Sequence, residues 1–164
     1  MLDDLSSGKR DNVPQGARFE QVDLRDASRV DGVVSEFKPH VISHQGAQTS
    51  VSVSTREPNR DAEINVLGSL NICNAAQAHG VSRVIVASTG GAIYGEVPEG
   101  TRAREEHPTT PLSPYACSKL AMESYRRFYA HEFGLKSTVL RYANVYGPRQ
   151  DPSSPYSGVI SIFT

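Results

Sequence analysis

The chain has 164 residues, with 17 Lys and Arg set against 18 Asp and Glu for a formal net charge of −1. That length suits one compact domain rather than two. Charges of both signs are scattered along it without a block of either, which gives no footing for nucleic acid or an anionic membrane surface, and no apolar run is long enough to cross a bilayer.

Short apolar strands alternate with longer helical stretches, the pattern of βαβ units around a parallel sheet, so an α/β fold is expected. The first residues read as the tail of a strand running into the turn Leu5-Ser6-Ser7-Gly8. Their acidic start, Met1-Leu2-Asp3-Asp4, lacks the basic and apolar regions of a secretory signal, which makes the cytoplasm the expected location. Arg18 to Leu24 alternates as a strand, and Ala27 to Phe37 follows as a helix. His40 to His44 predicts a short buried strand. Arg83 to Ser88 predicts a better one, its continuous apolar run suiting a strand covered on both faces. Ser137 to Tyr142 is the last strand.

Two long helices lie between these strands. The first starts near Pro58, suited to a first turn, and stops before Gly80. Ile64, Val66, Leu67, Leu70, Ile72 and Cys73 make it apolar on more than one face, as in a deeply packed helix or one that meets a partner subunit. The second has Ser113 as N-cap, Pro114 at its first position and Gly134 just past its end. Cys73 and Cys117 fall in these helices without CxxC spacing, so two reduced, structural thiols are expected and no metal site. Between Gly90 and Leu112 runs a long connection rich in Gly, Pro and charge. Connections of that length in a compact domain tend to be functional.

The stretch with most chemistry is Ser113-Pro114-Tyr115-Ala116-Cys117-Ser118-Lys119. Tyr115 and Lys119 are four residues apart and project from one helix face. A tyrosine titrates near ~10 and is a poor base at neutral pH. A lysine ammonium in reach stabilises the phenolate and is expected to lower that value, and the positive end of the helix acts the same way more weakly. Tyr115 could then exchange a proton with a substrate hydroxyl while hydride leaves the same carbon. An ordinary pair on a solvated helix face is the plain alternative. Ser88 and Thr89 end the best strand, and open parallel sheets bind ligands beyond the carboxyl ends of their strands. Their hydroxyls are candidates to bond the reacting oxygen.

Three segments in order, Ala87-Ser88-Thr89-Gly90-Gly91-Ala92-Ile93-Tyr94-Gly95-Glu96, Ser113-Pro114-Tyr115 to Lys119, and Leu140-Arg141-Tyr142-Ala143-Asn144-Val145-Tyr146-Gly147-Pro148-Arg149-Gln150, carry a resemblance. The chain resembles the UDP-glucose 4-epimerases of the extended short-chain dehydrogenase/reductase family over nearly its whole length. The resemblance implies a Rossmann-type doubly wound sheet that keeps NAD bound, with a UDP-sugar as substrate. It implies Tyr115 as the acid/base, Lys119 holding the nicotinamide ribose, and Thr89 as assisting hydroxyl, with Ser88 in second place because Gly90 stands where many relatives carry the Ser or Thr.

Further roles follow from the same resemblance. Asp3, with Asp4 beside it, would bond the adenosine ribose of NAD; Asp23, with Leu24, would meet the adenine amine. His44-Gln45-Gly46 would pack along the cofactor, and Asn65 would fix a loop near it. Tyr142, at the end of the last strand, would lie beside the cofactor, Asn144 would meet the substrate phosphates, and Arg149 would belong to the hinge toward a substrate domain. A homodimer through the two long helices is the expected assembly.

The glycine-rich GxxGxxG turn of the family is absent from the sequence. The expectation is therefore a partial NAD-binding domain over residues 1–147, without the first strand, followed at 148–164 by the start of the connection to a truncated substrate domain. Without that central strand the sheet should be left with open edges. Two other readings accompany the epimerase one. A non-catalytic fragment is one; a sugar-nucleotide 4,6-dehydratase is the other, disfavoured because Gly90-Gly91 replace the Asp-Glu pair that such relatives carry.

Overall fold

Parallel strands joined by helical crossovers build this chain, whose computed structural model describes residues 1–150. In order these are β1 (Leu2–Asp3), a 3₁₀ turn (Arg10–Asn12), β2 (Glu20–Gln21), α1 (Ala27–Phe37) and β3 (Val41–His44). Next come α2 (Val51–Arg56), α3 (Pro58–Ala62), a π-helical turn (Glu63–Leu67), α4 (Gly68–Ala78), β4 (Arg83–Thr89), α5 (Pro114–Phe133) and β5 (Lys136–Tyr142). β1 pairs with β2, and β3, β4 and β5 pair in that order, all parallel. The two pieces share no ladder, so the Rossmann-type sheet is interrupted between β1 and β3.

Local chemistry sets the helix ends. Asp26 caps α1 by accepting from Arg29 N at 3.0 Å. Ser113 caps α5 through Ala116 N at 3.2 Å, Pro114 opens it, and Gly134 closes it at φ 65°, where glycine has no Cβ to clash. The first long helix is less regular than its periodicity predicts. Ser50 caps a separate α2, missed in the sequence, by accepting from Val53 N at 3.1 Å. The helical backbone from Pro58 to Ala78 is continuous, but it widens into a π turn around buried Asn65. Such bulges favour functional positions.

The core lies between the sheet and α1, α4 and α5, around Val30, Ile72, Val84, Val86 and Met122. Each such side chain stabilises the fold by about 1.5–3 kcal/mol. α4 packs on β3 and β4, and α5 on β4 and β5. Burial is one-sided. Val84, Val86 and Ser88 are buried, but Ile85 and Ala87 between them are half-buried, so β4 is not covered on both faces. β3 likewise leaves Val41 and Ser43 exposed, against the expected buried strand. The physical reason is shared: among the described residues these helices cover one face of the sheet. β2 is shorter than Arg18 to Leu24 because β1 offers only two residues to pair with.

Cys73 is buried and its thiol is pushed up to about 11 by burial, so it is an inert core thiol. Cys117 is exposed on α5, which corrects its reading as structural. Of the connection toward a substrate domain, residues 148–150 are described; the remainder of that expectation lies outside the described residues. None of the described helices is long and apolar enough to cross a membrane.

Candidate active site

The carboxyl end of β4, flanked in the sheet by β3 and β5, meets the first turn of α5 where Thr89 is hydrogen-bonded with Tyr115. Register places Thr89, the last residue of β4, opposite Tyr142, the last of β5. Gly90 then donates to Tyr142 O at 2.6 Å; a Cβ there would lie 2.9 Å from Arg141 O, so glycine is what lets the two strand ends approach.

Tyr115 and Lys119 share one face of α5, the Lys119 ammonium 5.8 Å from the Tyr115 ring centroid. Lys119 is buried and donates to Ala87 O at 3.1 Å. Burial pulls its titration down to about 8, against an attraction from Asp61 that raises it. Tyr115 is shifted up from its ordinary value, which reverses the direction expected from its lysine neighbour. Burial disfavours the phenolate most, hydrogen bonding from Thr89 works the other way, and the charge of Asp61 adds to the upward shift.

Ser88 departs from its candidate role. Its Oγ donates to Glu123 Oε1 at 2.6 Å, away from the reacting centre. Glu123 also accepts from Arg141 Nε at 3.0 Å and Nη2 at 2.8 Å, a two-pronged pair with little exposure. Arg141 Nη1 reaches on to Tyr94 Oη and Glu105 O, both at 2.9 Å. This network, which sequence reading missed, anchors the Gly90–Leu112 connection to α5 and β5. A carboxylate four residues beyond Lys119 was its only advance signal.

The other predicted residues fall into three groups. On the Lys119 side, His44 ends β3 and is buried, its Nε2 2.8 Å from Ser69 Oγ. Ser69 gives its own proton to Asn65 O at 2.6 Å, so His44 Nε2 carries the hydrogen in that pair. Burial first, and then the charge of Lys119, pull His44 down to about 4; it is neutral at ordinary pH. Asn65 Oδ1 accepts from Gln48 N and Nδ2 donates to Gln48 O, both at 2.9 Å, which locks the loop after β3. Gln45 is exposed and bonds Ser43 Oγ at 3.1 Å. A Cβ on Gly46 would meet Leu24 Cδ1 at 3.0 Å, so these two predicted residues are packed together.

At the far strand ends, Asp3 Oδ1 accepts from Leu5 N at 2.7 Å and Asp4 Oδ1 from Ser6 N at 2.8 Å, each closing a local turn. The Asp23 carboxylate is gripped by Arg25, with Nη2 at 2.6 Å, which also holds it below its ordinary pKa. It is therefore already partnered rather than open to an amine. Tyr142, the last residue of β5, and Asn144 beyond it are exposed.

A parallel α/β sheet with a Tyr-Lys pair at the carboxyl ends of its strands defines a Rossmann-type, nucleotide-cofactor class of protein. The chain belongs to the NAD dependent epimerase/dehydratase family, whose model matches residues 1–164. It is 41% identical over 167 residues to the UDP-glucose 4-epimerase of Mycolicibacterium smegmatis, covering 99% of this chain and 53% of that protein. The UDP-glucose 4-epimerase of Thermus thermophilus, solved in complex with NAD, superposes with a TM-score of 0.91 at 55% identity, over 94% of this chain and 50% of that one. The Thermotoga maritima enzyme, solved with UDP-glucose, gives 0.94 at 45% identity, over 99% and 52%. The chain thus spans about half the length of the relatives it matches.

Proposed function

We propose that the chain supplies the proton-transfer centre and part of the cofactor seat of an NAD-dependent nucleotide-sugar epimerase, acting at C4 of UDP-glucose and UDP-galactose in cytoplasmic galactose metabolism. The observation that carries this reading is Tyr115 beside Thr89, with the buried Lys119 ammonium against the tyrosine ring.

The residues fit the nicotinamide half of NAD better than the adenosine half. Lys119 would hold the nicotinamide ribose, the loop from His44 to Gly46 would lie along the cofactor, and Tyr142 would border it. Asp3, with Asp4 beside it in sequence, would bond the adenosine ribose; Leu24 would lie near the adenine, and Asp23 would first have to leave Arg25. Bound NAD supplies the hydride acceptor, and later donor, at the carbon that bears the reacting hydroxyl. Tyr115 takes the proton of the sugar 4-hydroxyl as a general base and returns it as a general acid. Thr89 bonds the same oxygen and keeps it aligned, and the Lys119 charge favours the phenolate as it forms. Asn144, past β5, would meet the nucleotide phosphates.

A dimer through α4 and α5 fits the same reading. Leu67 on the π turn and Tyr125 and Phe128 on α5 are large, apolar and exposed. Light scattering that finds a monodisperse monomer counts against it.

Calorimetric titration of the purified chain with NAD is the first test. Saturable binding supports a working cofactor seat and calls for turnover of UDP-galactose, which Tyr115→Phe should abolish in the full-length protein. No binding by a folded sample favours the second reading, a non-catalytic fragment, for which the divided sheet speaks.

A further inference from the structure

One buried charge has no part in the proton transfer described above. Asp61, on α3, is 1% exposed and stands four residues ahead of Asn65 on the same helical run. Its Oδ1 accepts from Gln48 Nε2 at 2.8 Å and from Asn65 Nδ2 at 3.0 Å, whereas its Oδ2 is buried and has no hydrogen-bond partner among the described residues. A carboxylate withdrawn from water is costly unless a positive charge answers it.

α3 packs against α5, which buries the cations Lys119 and Arg126; it is Lys119 whose charge Asp61 favours. Lys119 places one proton on Ala87 O, leaving the rest of its ammonium free to face a negative charge. Asn65 Nδ2 also reaches Ser118 Oγ at 3.3 Å, so two hydrogen bonds link the carboxylate to the residue next to the lysine. Asp61 favours the charged form of Lys119 and disfavours the phenolate of Tyr115. The other titratable group coupled to Lys119 is His44 on β3, which is neutral and so cannot balance it.

We propose that Asp61 is the buried counter-ion of Lys119 and a positioning residue for the Tyr115–Lys119 pair. The inference rests on the reading of that pair as the proton-transfer centre. The carboxylate has two duties. Oδ1 holds Gln48 and Asn65 in place; the rest of the carboxylate charge acts through space on the lysine and favours an ammonium that burial opposes. The same charge adds to the burial that shifts Tyr115 upward.

The test titrates Lys119 in the 164-residue chain by NMR of ¹⁵N-labelled lysine side chains, with Lys9, Lys38 and Lys136 as internal references. In the unmodified chain Lys119 should be charged at pH 7; a neutral amine there overturns the proposal without any variant. Asp61→Asn keeps an acceptor for Gln48 and Asn65 and removes the charge. It should lower the Lys119 midpoint by about one unit or more, roughly tenfold in proton affinity, and Asp61→Glu should recover most of that shift. An unmoved midpoint, with the Gln48 and Asn65 amide resonances undisturbed, makes Asp61 a scaffold residue only and overturns the proposal. If Asp61→Asn does not fold, Asp61→Ser is read in the same way. No NAD or sugar enters this measurement, so failure to bind or turn over either bears on the epimerase reading alone.

Discussion

Ser88 Oγ donates a 2.6 Å hydrogen bond to Glu123 Oε1, and that bond separates the duties of two adjacent hydroxyls. Successive side chains of a strand leave on opposite sides, so Ser88 and Thr89 do not serve the same group. Ser88 joins the buried pair of Glu123 and Arg141, whereas Thr89 acts on Tyr115.

Substitutions should therefore part along the same line. Ser88→Ala is expected to destabilise the chain by about 1–3 kcal/mol, because Glu123 loses a buried donor. Thr89→Val should leave the urea midpoint nearly unchanged and cut turnover of the full-length protein by roughly tenfold or more. The reverse pattern would return the assisting role to Ser88.

Glu123 is the keystone of the connection between β4 and α5. Glu123→Ala leaves the Arg141 guanidinium without its partner, at a cost of about 3–5 kcal/mol for a buried pair. Arg141 also holds Tyr94 Oη and Glu105 O, so the connection should loosen with it. Limited trypsin digestion at Arg102 and Arg104 is expected to quicken; an unchanged cleavage rate would show that the loop is held by other means.

His44 makes stability depend on acidity. Its folded-state value is depressed to about 4 from 6.5, so between those limits the unfolded chain binds the proton that the folded chain refuses. Its stabilising contribution is complete above 6.5 and is lost as pH falls toward 4, by up to about 3 kcal/mol. Urea midpoints at pH 7.5 and 4.5 should differ markedly in the unmodified chain and less in His44→Gln. Equal differences would mean that other groups cause the acid sensitivity.

At Gly90 the backbone leaves no room for a side chain. A Cβ would stand 2.9 Å from Arg141 O and 3.2 Å from Tyr142 O, main-chain atoms fixed by the β4–β5 ladder. Gly90→Ala is expected to cost about 1–3 kcal/mol through overpacking and to shift the neighbouring Thr89. Calorimetric melting would check this, and an unaltered transition would mean that the strand ends yield more easily than their register implies.

Local signals in the sequence were read well where one chain segment suffices to make the structure. Ser113, Pro114 and Gly134 set the ends of α5 through contacts within a few residues, as those residues predicted, and α1 spans the expected Ala27–Phe37. The separation of Tyr115 and Lys119 is likewise a property of one helix. α2 escaped notice because it is only six residues long, with Pro58 close behind it. The π turn at Asn65 was illegible for another reason: its widening goes with bonds to Gln48 and Ser118, which lie 17 and 53 residues away.

By itself, then, the sequence determined the family, the alternation of strands and helices, and the helix that carries Tyr115 and Lys119, since each is written in short-range pattern. Only the tertiary structure decided which hydroxyl acts on Tyr115, that the tyrosine shifts upward, and that Asp61 and Glu123 are buried charges with separate duties. Those outcomes depend on desolvation and on which side chains meet across elements distant in the chain; at Tyr115 burial outweighs the hydrogen bond from Thr89, and the Asp61 charge acts in the same upward sense.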